Sequence, residues 1–186
     1  MDQIYTHPKR KTKVVFVQLG SPSEPTTKAL RKYLRKFLGD PRVVDINPWL
    51  WKIILNFFVL PFRPKKSAKL YARIWDGKSF PLITNTRDFT NNVREELKKI
   101  DPNGHVEVNH AFLLSPPYVN EVYDSWEDDL KKGIGATKLL VIPMFPQYSE
   151  STIASGIDAL AKELSKRVKI PTFEVITNFH RTHAFI

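Results

Sequence analysis

Four short strand-like runs, spaced by segments of helical period, constrain what this chain can fold into. The first, KVVFVQL at 13–19, is rich in β-branched residues and stops at Gly20-Ser21-Pro22. His105 to Leu114, Lys138 to Met144 and Thr172 to Ile176 read as further strands, and all four are expected to be buried. For a run as short and apolar as the first, burial follows because both faces of the pleat must lie against apolar neighbours. Strands alternating with helices predict an α/β fold: a Rossmann-like, mostly parallel sheet with helices on both faces.

The intervening segments carry the helical period. Leu30, Tyr33, Leu34, Phe37 and Leu38 share a face, with Thr26 placed to cap the start and Gly39 to stop the end. Further helices are expected over Ser67 to Trp75, over Phe89 to Ile100 with Phe89, Val93, Leu97 and Ile100 on one face, and over Ile153 to Lys166. Another carries Val119, Val122, Trp126 and Leu130 after the Ser115-Pro116-Pro117 break, and ends before Gly133 and Gly135. Such folds bind ligands at the carboxyl ends of their strands. Gly20 to Thr26 and Phe145 to Thr152 are therefore candidate walls of a site. In the second loop Ser149 and Ser151 serve equally well as helix caps or as ligand contacts.

One stretch fits neither pattern. Between Trp49 and Phe62 there is a single charge, Lys52, and then Arg63, Lys65, Lys66 and Lys69 follow in quick succession. A buried helix followed by a solvated basic one would read this way. So would an apolar surface with cations on its rim, which suits a flat apolar ligand bearing carboxylates. A third reading is a peripheral contact with a membrane surface through Trp49–Phe62.

The 186 residues suffice for one well-cored domain, and no apolar span is long enough to cross a bilayer. The polar, basic N-terminus lacks the apolar core of a signal peptide, so a cytoplasmic location is expected, with peripheral membrane contact as an option. Zero cysteines exclude disulfides, thiolate metal sites and cysteine nucleophiles from these residues. The net charge of +10 calls for an anionic partner. Nucleic acid is disfavoured, because the cations are spread over several amphipathic segments without a recognition motif. His105 and His110 are expected on opposite faces of a strand. His180 and His183 could share a helix face, but no third ligand accompanies them, and a metal site is left unassigned.

Taken together, VVFVQLGSPSEPTT, FLGDPRVVDI, LPFRPKKSAKLYARIW and IPMFPQYSESTIASG resemble the N-terminal half of ferrochelatase, in family order over residues 12 to 186. The resemblance implies two similar α/β domains with a porphyrin between them and insertion of ferrous iron into protoporphyrin IX to give haem. It implies no cofactor, iron and porphyrin being substrates. On it, residues 1–11 form a basic tail and 12–176 the α/β domain with its porphyrin lip at 48–71. Residues 177–186 would begin a helix leading to a C-terminal domain that this sequence lacks. Porphyrin or haem is the implied partner. The implied contacts are Leu19 and Pro22 in the loop after the first strand, Arg63 and Lys66 toward the propionates, Tyr71 near the active site, and Ser149 and Ser151.

The family's catalytic histidine, in a His-Gly pair, and its downstream glutamate have no counterpart here, so no catalytic residue is assigned. Four positions depart from the family toward apolar character: Phe80, Phe112, Leu113 and Phe145. The alternative they raise is a non-catalytic porphyrin- or haem-binding protein on the chelatase fold.

Overall fold

A computed structural model describes residues 11–131, 136–183 and 185. Its centre is a four-stranded, all-parallel sheet in the order β2-β1-β3-β4. The strands are β1 (Lys11–Gln18), β2 (Val106–Phe112), β3 (Ala136–Pro143) and β4 (Thr172–Val175). β1 sits in the middle, Val14 paired with Val108 on one side and with Leu140 on the other. The α/β architecture expected from the strand–helix alternation is therefore the architecture observed.

The pleat of β1 divides the core. Val15 and Val17 face helices α5 (Val119–Lys131) and α6 (Ser155–Leu164), packing with Ala111, Tyr123, Trp126 and Leu160. Val14 and Phe16 face the other way, toward α4 (Pro81–Ile100), where Val93 and Leu97 meet Val108 and the Phe89 ring lies edge-on to Phe16 at 5.0 Å. Lys13 is fully buried among Ser125, Asp129 and Glu107, its charge matched by carboxylates at 3.1 and 3.4 Å.

A third cluster lies where the chain leaves the sheet. α1 (Thr27–Leu38) is capped as expected: the Thr26 hydroxyl accepts from the Ala29 amide at 3.2 Å, and Gly39 closes the end. Tyr33, Leu34 and Leu38 of α1 pack on Leu55 and Leu60. Those leucines belong to the lip, built from α2 (Pro48–Ile54), a wide turn over Leu55–Val59 and α3 (Arg63–Tyr71). The turn is closed by the Leu60 amide donating to the Leu55 carbonyl at 2.8 Å, one residue wider than an α-helical turn.

Several expectations need correction. β4 is not buried: Thr172, Phe173 and Glu174 are exposed, because β4 is an edge strand and only Val175 packs against the core. α4 starts at Pro81, eight residues before Phe89, since proline with its fixed φ suits a first helical turn. Its outward end leaves Ile100 79% exposed, while Thr86 and Thr90 take the buried face by bonding back to carbonyls of Leu82 and Thr86. α3 begins at Arg63 rather than Ser67 and passes into a tighter turn at Ala72–Ile74. Where a helix start was expected, residues 180–183 form turns, with Thr182 donating to the Phe179 carbonyl. Residues 1–10 of the basic tail, Gly133 and Gly135 lie outside the described residues, as does the Leu130 side chain.

Candidate functional site

The loops at the carboxyl ends of β1, β2 and β3 are knitted together by backbone bonds. The Leu113 and Leu114 amides donate to the carbonyls of Gln18 and Leu19, and Met144 to Val17. Gly20 turns the chain with φ +93°, and a Cβ there would lie 2.4 Å from the Ser115 hydroxyl, so glycine is required at this crossing. Ser115 Oγ in turn accepts from the Ser21 amide.

Two clefts open on this edge, sharing Leu114 and Tyr118 as their divide. The first, about 420 Å³, is floored by Leu19, Phe112 and Leu113 and walled by the Asp40–Val43 turn and by α6. Arg42 and Asp158 join those walls in a two-pronged pair at 2.9 and 3.2 Å, and the Arg42 guanidinium holds the Asp158 carboxyl below its usual range. The second cleft, about 360 Å³, has Pro22, Tyr33, Trp75 and Phe80 as apolar walls and Lys32, Lys36 and Lys78 among its cations. Lys36 donates to the Tyr118 hydroxyl at 3.1 Å and lies 4.5 Å over its ring, fixing the divide.

The structure sorts the residues singled out from sequence into three places. Leu19 and Ser151 line the first cleft, and Ser149 adjoins it, its hydroxyl 3.2 Å from that of Ser151. Ser149 caps the following turn with its carbonyl, which accepts from Ile153 and Ala154, and not with its side chain. Pro22 lines the second cleft. Tyr71 packs between two of that cleft's walls, its ring 6.2 Å from Tyr33 and edge-on to Phe80 at 5.5 Å. Arg63 and Lys66 stand exposed on α3, outside both clefts, with no ion-pair partner among the described residues.

The lip is two-sided. Trp49, Phe57, Phe58 and Phe62 are 67–78% exposed, whereas Leu55 and Leu60 are buried against α1 and the Trp51 indole donates to the Leu38 carbonyl at 2.6 Å. Four large aromatics facing outward beside unpaired cations form a surface, not a core helix. Of the readings left open for this stretch, the buried helix is thereby excluded.

Residues 11–186 match the ferrochelatase family. The chain belongs to that family. It is 41% identical over 173 residues to a ferrochelatase of Idiomarina loihiensis, covering 93% of this chain and 46% of that one. A ferrochelatase of Teredinibacter turnerae shares 38% over 187 residues, 99% of this chain and 49% of its own. A coproporphyrin III ferrochelatase of Streptococcus mutans shares 37% over 179 residues, 96% of this chain and 54% of its own. The chain thus spans about half the length of the curated relatives it matches.

In this ferrochelatase-family chain the apolar departures have distinct settings. Phe112 is fully buried, with its ring edge-on to His110, and Leu113 lines the first cleft. Phe80 is 2% exposed inside an aromatic group with Tyr71 and Trp75. The histidines are apart: His105 Nδ1 lies 3.0 Å from the Asp101 carboxylate, while burial, then Arg94 and Arg87, hold the His110 imidazole below its usual range. No group of three metal-ligating side chains occurs among the described residues, and no helix among them is long and apolar enough to cross a membrane.

Sequence reasoning missed Lys32, Lys36, Lys78 and Trp75 as cleft residues. Lys32 and Lys36 lie four apart on α1, which marks a shared face, but a period cannot say what that face looks onto.

Proposed function

We propose that this chain is the porphyrin-binding portion of a ferrochelatase that inserts ferrous iron into protoporphyrin IX, giving haem. The observation that carries the reading is the lip: an outward apolar face of Trp49, Phe57, Phe58 and Phe62 ending in the cations of α3, of which Arg63 and Lys66 form no ion pair among the described residues. A macrocycle laid on that face gains burial, and its propionates gain charge-assisted hydrogen bonds from Arg63 and Lys66. Leu19 and Pro22 would meet the macrocycle from the β1 loop, Tyr71 would offer a phenol, and Ser149 and Ser151 would offer hydroxyls from the β3 loop. Iron and porphyrin enter as substrates, and no further cofactor is proposed.

The chemistry requires a porphyrin held and distorted so that a pyrrole nitrogen faces the metal, and a base for two pyrrole protons. These 186 residues hold no His-Gly pair, and the base is proposed to lie outside them. A cytoplasmic location with peripheral membrane contact through Trp49–Phe62 accompanies this reading.

Titration of protoporphyrin IX followed at its Soret band tests the binding. A saturable shift is expected, weakened about tenfold by Arg63→Ala with Lys66→Ala; the absence of any shift would refute the reading. The second reading, a binder that does not metallate, is favoured by the apolar Phe112 and Leu113 at the first cleft. Ferrous-iron insertion by the intact protein separates the two: haem formation removes the second reading, and saturable binding without it removes the first.

A further inference from the structure

Tyr33 was legible in the sequence only as one apolar position of a helix, yet it is the residue where three parts of the candidate site meet. It is 7% exposed, and its hydroxyl donates to the Gly20 carbonyl at 3.3 Å, at the turn that carries Leu19 and Pro22. One face of its ring stacks on Phe37, a wall of the first cleft, with centroids 6.3 Å apart. On the α3 side lies Tyr71, 6.2 Å away and tilted by 59°, held from its far side by Phe80. Burial first, and the neighbouring Tyr71 phenol second, raise the Tyr33 hydroxyl above the usual phenol range, so it remains a donor at any physiological pH.

On the porphyrin reading the Tyr71 phenol is offered to a ligand whose peripheral polar groups are carboxylates, and a phenol that meets one must be aimed. Tyr71 ends α3 and passes into a tighter turn at Ala72–Ile74, with its ring between those of Tyr33 and Phe80. The aim comes from the two rings that bracket it, and only Tyr33 of those two carries a polar group.

We propose that Tyr33 is a positioning residue, which ties the Tyr71 phenol to the Gly20 turn so that recognition of ligand carboxylates through Tyr71 depends on it. The proposal rests on the porphyrin-binding reading above for its ligand, but not for the link between the two tyrosines.

Tyr33→Phe keeps the ring and removes only the hydroxyl. In the intact protein, protoporphyrin IX and its dimethyl ester are titrated against wild type, Tyr33→Phe, Tyr71→Phe and the double variant. Tyr33→Phe is expected to weaken the diacid about fivefold, as does Tyr71→Phe, with no further loss in the double variant and no change for the ester. Equal loss for acid and ester, additive losses, or no loss at all for Tyr33→Phe would each overturn the proposal, the first by showing a merely structural role. The second arm needs no porphyrin. In protein labelled at tyrosine Cζ, Tyr33→Phe is expected to shift the Tyr71 resonance; an unmoved resonance overturns the proposal. A shifted Tyr71 resonance with no Soret response in wild type would instead place the failure in the porphyrin reading.

Discussion

Single atoms decide the carboxyl edge of the sheet. At Gly20 any side chain would need both a left-handed φ and space already held by Ser115 Oγ. Gly20→Ala is therefore expected to cost about 2–4 kcal/mol, read as a lower urea midpoint at unchanged slope. Asp101 shows the opposite case, a residue whose ionisation is useful. Its carboxylate accepts from the Val106 amide at 2.7 Å and faces His105, and these bonds, the amide's foremost, hold it below the usual carboxylate range. A depressed folded pKa means that its contribution is complete above the unfolded value, about pH 4, and lost as pH falls through the lower folded value. Urea midpoints at pH 6 and pH 3 should converge for Asp101→Asn relative to wild type. Both effects rest on residues whose type is plain in the sequence, but Ser115 is 94 positions from its partner Ser21 and nothing local announces the meeting.

Among the elements, the lip is where composition was most suggestive and least decisive. Its apolar run was visible, but which side chains turn inward was not, because a wide turn at Leu55–Val59 breaks the helical phase midway. The result is a division of labour within a few residues. Leu60 is 2% exposed and Phe57 69%. Leu60→Ala is expected to destabilise by about 2–5 kcal/mol. Trp49→Ser with Phe57→Ser should leave the unfolding midpoint within about 0.5 kcal/mol of wild type and instead reduce porphyrin binding, as thermal melts beside Soret titrations would show. In α4 a face drawn through Phe89 and Ile100 proved half right: Phe89 meets Phe16, while Ile100, the last residue of the helix, is exposed.

Across the whole molecule burial falls from the middle of the sheet to one edge. β1 is enclosed by two strands and by helices on both faces, whereas β4 has one neighbour and exposed side chains on either side. Amide hydrogen exchange should be slowest in Val14–Val17 and fastest, among the strands, in Thr172–Val175; equal protection would contradict this gradient. The order of strands and helices, the parallel sheet, the caps of α1 and the family motifs can be read from the residues before any packing is known, because each is written in a few adjacent residues or in one period. That β4 is open, that the lip faces outward, and that Leu19 and Pro22 line two separate clefts follow from packing alone. It also set Tyr33 beside Tyr71 and Arg42 across from Asp158, 116 positions away. An amphipathic pattern fixes which face of a segment seeks cover, but what covers it depends on contacts between distant segments, and those are settled only when the layers pack.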